Sequence, residues 1–220
     1  MVRLLEHHGK NLLSSVSVRV PKGEIANTQQ QAKQIAERLG KPVAVKAQIP
    51  ATGRFKAGGI AFATTPDEVA NVAERMLRSE VKGFPVANIL IEEKLDIAKE
   101  YYAGIIVDDS YKVRAPVLIF STRGGVDIEQ VASENPEELG KTVVDVLEGL
   151  LPSDVERLVR SLGVSSNLVK RFSSVVFGMY EVFAQYGARS VEVNPIALTS
   201  DGMVYVADCR IVLDLSLIHI

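Results

Sequence analysis

Apolar positions along this chain switch repeatedly between the 3.6-residue spacing of a helix and the two-residue alternation of a strand. Residues 4–13 read as a short helix, and residues 16–20 alternate as a strand that stops at Pro21. A helix is predicted over 28–39, where Ala32, Ile35, Ala36 and Leu39 share one stripe and Gly40 suits the C-terminal cap. Residues 42–47 form a strand, a glycine-rich loop follows, and 59–63 is the next strand. Thr65-Pro66-Asp67-Glu68 spells a capping box with proline at the first helical position, and Val69, Val72, Ala73 and Met76 carry that helix's stripe.

Strands recur at 87–93, 100–107 and 111–120, the last two flanking the turn Asp108-Asp109-Ser110, and Gly124-Gly125 breaks the second. A further strand lies near Thr142, and Ser153-Asp154-Val155-Glu156 reads as a second capping box. A long helix covers 167–185, with Leu168, Phe172, Val175, Val176, Met179 and Phe183 on its buried stripe and Gly187 just past its end. Two strands then close the chain as a hairpin. Hairpins and crossover helices are mixed, so the fold class is α+β. Lobe boundaries are expected near residue 20 and again between 85 and 95, with a small lobe of roughly 21–92 inserted in a larger one.

Composition narrows the function classes. At 220 residues the chain can bury a sizeable core, and 47% hydrophobic with 24% charged residues is ordinary for a globular protein. The net charge of -2 gives no basic surplus for nucleic acid. No apolar run has the length of a membrane span, and the first residues lack a signal-peptide core. The single Cys209 lies in an apolar strand and reads as a small buried filler, which suits a cytoplasmic or organelle-matrix setting. Residues 215–220 follow an acidic stop at Asp214 and read as a non-native tail, so His219 is given no role.

Chemistry concentrates in three places. In the hairpin, Glu192 and Asn194 project from one face of their strand. A three-residue loop, Ser200-Asp201-Gly202, sets Asn194 opposite Asp208. In that register hard oxygen donors converge, as Mg²⁺ bound beside substrate phosphates requires. On its own the hairpin reads equally well as an exposed sheet face with scattered polar residues. The second place is the loop from Gln48 to Gly59. Lys46 ends the strand before it among apolar residues, Gly53, Gly58 and Gly59 allow close backbone approach, and Arg54 can grip phosphate bidentately. A basic surface turn is the competing reading. The third is the charged stretch 91–100, where Glu92 and Glu100 could hold ribose hydroxyls; from these residues alone a solvated connector is the better reading.

Together these segments resemble a known family. Lys46, Gly53-Arg54-Phe55-Lys56-Ala57-Gly58-Gly59, Asp96-Ile97-Ala98-Lys99-Glu100, Gly124-Gly125-Val126 and Glu192-Val193-Asn194-Pro195 match, in order and spacing, the ATP-grasp domain of the succinyl-CoA synthetase (succinate–CoA ligase) β subunit. The resemblance covers residues 4–214. It implies an ATP-grasp fold whose two α/β lobes grip a nucleotide, with ATP/ADP and Mg²⁺ as cofactors. Lys46 would meet the phosphates, and the backbone of Gly53, Arg54 and Phe55 would close over them. Glu92, Leu95 and Glu100 would hold the adenosine, and Asn194 and Asp208 would bind the metal. Arg54 and Glu192 would serve phosphoryl transfer, Glu192 by supporting a phosphohistidine carried on a partner α subunit that also binds CoA.

The implied activity is ADP-forming acid–CoA ligation, with malate–CoA or citrate–CoA ligases, or a nucleotide-binding module without turnover, as alternatives. No nucleophile is required of this chain, and His7 and His8 read as solvated helix residues. Two departures stand out. Phe55 replaces the glycine that usually follows the arginine, and the further C-terminal domain of such β subunits is expected to be missing. Pro21 lies where the adenine-using members of that family resemble this chain, so the resemblance implies ATP over GTP.

Overall fold

The computed structural model describes residues 1–110 and 112–216. Tyr111, expected to open a strand, and residues 217–220 of the expected tail, His219 included, lie outside the described residues.

In chain order the strands and helices are β1 (Val2–Arg3), α1 (Glu6–Ser15), β2 (Gly23–Ala26), α2 (Gln29–Leu39), β3 (Val43–Ala47), β4 (Ile60–Ala63), α3 (Pro66–Leu77), β5 (Glu80–Val81), β6 (Phe84–Pro85), β7 (Ile89–Glu93), β8 (Ile97–Asp108), β9 (Ala115–Ser121), α4 (Ile128–Glu134), β10 (Leu139–Val143), α5 (Pro152–Ser161), α6 (Ser166–Gln185), β11 (Ala188–Thr199), β12 (Val204–Val206) and β13 (Cys209–Leu213). The chain divides into two compact units, one of Pro21–Leu95 and one of Met1–Val20 with the residues from Asp96 on.

The unit of Pro21–Leu95 is built on a four-stranded antiparallel sheet in the order β2-β7-β3-β4. Val43, Val45, Ile89 and Ile91 face α2 and α3 and form its core with Ala32, Ile35, Val69 and Ala73. Thr28 caps α2 by accepting from Gln31 N at 3.2 Å, and Gly40 ends it in the left-handed region at φ 61°. The predicted capping box is present at α3. Thr65 Oγ1 accepts from Glu68 N at 3.2 Å, and the Glu68 carboxylate reaches back to Thr64 N at 2.8 Å. Those hydrogen bonds hold the Glu68 carboxyl below the usual carboxylate range.

The other unit is a seven-stranded antiparallel sheet, β1-β13-β11-β8-β9-β10, with β12 also paired to β11. Phe172, Val176, Met179 and Val182 of α6 pack with Leu13 of α1 and Val155 and Val159 of α5 on one face, against Ile105, Leu118, Phe120, Val191 and Val193. A smaller cluster of Tyr102, Val117 and Ile119 sits on the opposite face. Cys209 is buried in the larger core with its thiol 3.6 Å from Glu6 O, as a filler would be.

Two expectations are corrected. Residues 16–20 make no strand: Ser17 turns at φ 64° and Val18 packs so closely on α6 that a Cβ at Gly178 would collide with it. Packing against a helix has displaced ladder pairing. Nor is Ser153 a cap: α5 begins at Pro152 with Leu151 as N-cap and no side-chain cap. Proline's fixed φ starts the helix two residues early, which moves Ser153 inside it.

Candidate functional site

In the unit of Pro21–Leu95, register decides which side chains share a face. Ala44 pairs with Phe62 and Glu92, and Lys46 pairs with Ile60 and Leu90. These residues lie on the sheet face opposite α2 and α3. Lys46 Nζ sits 2.5 Å from Glu92 Oε1, with side-chain exposures of 8% and 3%. Two charges taken from water need such a partner. Gly23, opposite Glu92, makes room for it: a Cβ there would lie 2.5 Å from the Glu92 Cβ. Lys46 and Glu92, read from sequence as phosphate and adenosine contacts, are therefore held together.

The glycine-rich loop is organised by Arg54. Its carbonyl accepts from Ala57 N at 3.2 Å and Gly59 N at 2.8 Å, and its Nη1 donates to Ala47 O at 3.0 Å. Only 6% exposed, its guanidinium ties the loop to the end of β3 rather than standing out to grip phosphate. Gly53 and Gly58 turn at φ 66° and 75°, conformations that favour glycine. Phe55 projects outward, 64% exposed, with its ring 6.5 Å from that of Phe62. Lys94 lies over the Phe62 ring at 5.1 Å, and Leu95 after it is half-buried.

A cation that the sequence reading missed adjoins this loop. Lys82 and Gly83, both at positive φ, form the two-residue turn between β5 and β6. Val81 packs into the core beside Gly59, and the Lys82 ammonium lies 3.2 Å from where a Gly53 Cβ would be. The Lys-Gly pair after an apolar residue was the available turn signal.

The second constellation lies in the other unit. β11 and β12 pair Ile196 with Val206 and Leu198 with Val204, and Asn194 N donates to Asp208 O at 3.1 Å. The predicted three-residue turn and the register that opposes Asn194 to Asp208 are thus present. The Asn194 amide also clamps the Gly124-Gly125-Val126 segment: its Oδ1 accepts from Gly125 N at 2.7 Å and its Nδ2 donates to Val126 O at 2.8 Å. Gly124 N donates to Glu100 O at 3.0 Å, and the Glu100 carboxylate lies where a Gly125 side chain would be. Glu100, Asn194 and Asp208 are half-buried.

Glu192 faces Arg210 on β13, with Arg210 Nη1 3.6 Å from its Oε1. Tyr102 lies on the neighbouring strand β8, and its phenol is pushed well above its usual pKa, first by burial and then by the Glu192 charge. Arg3 is lowered by burial and by Arg210, against the pull of Glu192. Glu192 thus faces a guanidinium instead of completing a three-oxygen metal set. Among the described residues no group of three or more His, Cys, Asp or Glu could hold a metal ion. Asn194 and Asp208 still fit Mg²⁺, one amide oxygen and one carboxylate being a donor set that phosphates and water complete. Shallow hollows at the α2–α3 junction, around Gly40 and Thr65, and between α5 and α6, around Pro152 and Ser174, contain none of these residues.

Comparison with known proteins places this arrangement. The profile of the ATP-grasp domain matches residues 3–198. The chain belongs to the ATP-grasp family. Among relatives of this ATP-grasp chain, the succinate–CoA ligase [GDP-forming] β subunit of Thermus thermophilus is 41% identical over 97% of the chain and 56% of its own length. The succinate–CoA ligase [ADP-forming] β subunit of Rubrobacter xylanophilus is 41% identical over 98% and 56%. The chain therefore spans about half the length of these relatives.

Solved structures agree on the ATP-grasp fold. The dinucleotide-forming acetyl-coenzyme A synthetase 1 of Ca. Korarchaeum cryptofilum, in complex with coenzyme A and Ca-AMPCP, superposes with TM-score 0.75 at 19% identity, covering 96% of this chain and 93% of that one. ATP citrate lyase from Methanothrix soehngenii gives 0.76 at 18% identity, covering 99% and 52%. Among the described residues no helix is long and apolar enough to cross a membrane.

Proposed function

We propose that this ATP-grasp chain is the nucleotide-binding part of an acid–CoA ligase β subunit, in the first instance an ADP-forming succinate–CoA ligase. Identity of 41% across nearly the whole chain to proteins of that name carries the reading. The retained Lys46, Asn194 and Asp208 support it, because an interaction domain has no use for a phosphate lysine and metal ligands.

On this reading Lys46 exchanges its contact with Glu92 for the phosphates, and the backbone N–H groups of Gly53, Arg54 and Phe55 close over them. Glu92 and Glu100 accept from ribose hydroxyls, with Leu95 beside the base. Mg²⁺, held by Asn194 and Asp208, supplies neutralisation of phosphate charge when bound. The P–O bond to ADP breaks as a P–N bond forms to a histidine of the partner α subunit, and Glu192 hydrogen-bonds that imidazole. Acid and CoA are then handled by parts of the enzyme outside this chain. The residues here position and neutralise, which is what phosphoryl transfer needs from a protein.

The relatives include both GDP-forming and ADP-forming enzymes at equal identity, so the base is decided by experiment. The exposed Phe55 in the phosphate loop favours a second reading, a nucleotide-binding module without turnover. Isothermal titration with ADP and with GDP, each with and without Mg²⁺, tests both. Magnesium-dependent binding of one nucleotide is expected. A folded chain that binds neither would remove the proposal. Binding without phosphoryl transfer to the partner subunit would favour the module.

A further inference from the structure

The β5–β6 hairpin abuts the glycine-rich loop at two of its glycines. A Cβ on Gly59 would lie 3.1 Å from Val81 Cγ1, and a Cβ on Gly53 would lie 3.2 Å from Lys82 Nζ. Val81 and Val86, on either side of the turn, are buried in the core of the unit of Pro21–Leu95. Val86 N also donates to Ser79 O at 3.2 Å across the base of the hairpin. The Lys82 ammonium is thus set against Gly53, where the stretch of N–H groups read above as closing over phosphate begins. Lys82 holds this place in an unfavourable conformation. Its φ of 54°, followed by 77° at Gly83, makes a turn with both central residues left-handed. Glycine or asparagine suits the first of those positions, and a lysine is strained there. Strain of this kind persists where the surrounding structure imposes it, and it gathers at ligand sites.

We propose that Lys82 is a further phosphate-binding residue, its ammonium meeting the polyphosphate of the nucleotide beside Gly53. The inference rests on the nucleotide site proposed above and adds to it a cation from outside the loop. The other cations near the loop's start are committed elsewhere: Lys46 is paired with Glu92 at 2.5 Å, and Arg54 Nη1 donates to Ala47 O at 3.0 Å. Lys82 is exposed, and among the described residues it forms no ion pair. An anion drawn to the loop's N–H groups therefore meets this ammonium without breaking a contact, whereas Lys46 must first leave its carboxylate. A lysine suits the task, being a point charge on a flexible stem that can follow the loop as it closes.

The test is calorimetric titration of wild type, Lys82→Gly, Lys82→Arg and Lys33→Ala with adenosine, ADP and ATP in Mg²⁺, or with the guanine series if GDP is the nucleotide bound, alongside urea unfolding of each. Lys82→Gly should weaken ATP about tenfold, the lower end for a hydrogen bond to a charged group, and leave adenosine within about twofold. Its urea midpoint should hold or rise, because glycine relieves the left-handed turn. Lys82→Arg should keep most of the ATP affinity. Lys33→Ala removes a positive charge from α2, where Lys33 pairs with Asp67, and should leave ATP binding unchanged. An unchanged ATP affinity in Lys82→Gly would overturn the proposal. So would equal losses for adenosine and ATP, a loss matched by Lys33→Ala, or a loss accompanied by a lower urea midpoint, because Lys82 would then act through the general field or the fold. If wild type binds no nucleotide, the functional reading fails and takes this inference with it. If wild type binds and Lys82→Gly binds equally well, the inference alone fails.

Discussion

Lys46 with Glu92, and Asn194 with Asp208, reach their places by different physics. The first pair is buried and fixed by mutual attraction at 2.5 Å. The second is half-buried and fixed by the backbone: a three-residue turn sets the register, and Asn194 N meets Asp208 O. A ligand that takes Lys46 must therefore open an ion pair, whereas one that takes Asp208 finds the main chain already arranged. Stability and binding should separate accordingly. Changes at the first site should harm the fold, and changes at the second should harm only the ligand.

The largest effect should come from breaking the buried pair. Glu92→Ala leaves the Lys46 ammonium buried without its carboxylate and should cost about 3–5 kcal/mol in urea unfolding. Replacing both with apolar residues of similar volume, Lys46→Met with Glu92→Leu, should recover most of that loss. A Glu92→Ala loss below about 1 kcal/mol would place the pair among surface-like bridges and dissolve the contrast. Asp208→Ala should show the reverse profile. Its unfolding free energy should move by less than about 1 kcal/mol, while the gain in ADP affinity on adding Mg²⁺ disappears. Retained metal dependence in that variant would remove the hairpin as the metal site. Lys46→Ala should weaken ATP more than adenosine, and equal losses would show that Lys46 does not meet phosphate.

The same contrast explains what could be read from the sequence. The hairpin was legible because loop length alone fixes register, and Ser200-Asp201-Gly202 admits few turns, with Gly202 at φ 80°. The helices 28–39 and 65–77 were legible because stripe and caps agree at both levels. The inward turn of Arg54 was not legible, because a loop's sequence shows that a charge is present, not where it points. The guanidinium went inward to satisfy Ala47 O, a demand created only by the folded loop. Residues 16–20 failed for a related reason. Their alternation is real, but Gly178 opens a place for Val18 on α6, and no period in the sequence records that distant gap. Glu192 was grouped with the metal ligands because alternation put it on the right face, yet Arg210 faces it from the neighbouring strand.

A smaller and pH-dependent effect should come from the face that holds Glu192. Tyr102 has a raised pKa in the folded chain, so the native state keeps a proton that the unfolded state gives up above its ordinary value near ~10. The stability this contributes is fully present below that pH and is lost as pH rises toward the folded value, at up to about 1.4 kcal/mol per pH unit. Unfolding of wild type and Tyr102→Phe, compared at pH 9 to 11, should therefore converge as pH rises. Parallel curves would mean that the phenol titrates normally.

The smallest effect should be found at the junction of two adjacent loop residues, Arg54 and Phe55. Arg54 is buried and bonded to Ala47, Ala57 and Gly59, so Arg54→Ala removes a tie that the loop's own turns depend on. Phe55 is mostly exposed and touches Phe62 only at ring distance, so Phe55→Gly removes little burial and adds backbone freedom. Stability should move by no more than about 1 kcal/mol for Phe55→Gly. Hydrogen exchange at residues 55–58 should quicken modestly, while Gly59 N stays protected by Arg54 O. Nucleotide affinity should hold or rise, because a freer loop closes over phosphate more readily. A larger loss of protection from Phe55→Gly than from Arg54→Ala would reverse the assignment. The aromatic contact, and not the buried guanidinium, would then be what shapes the loop.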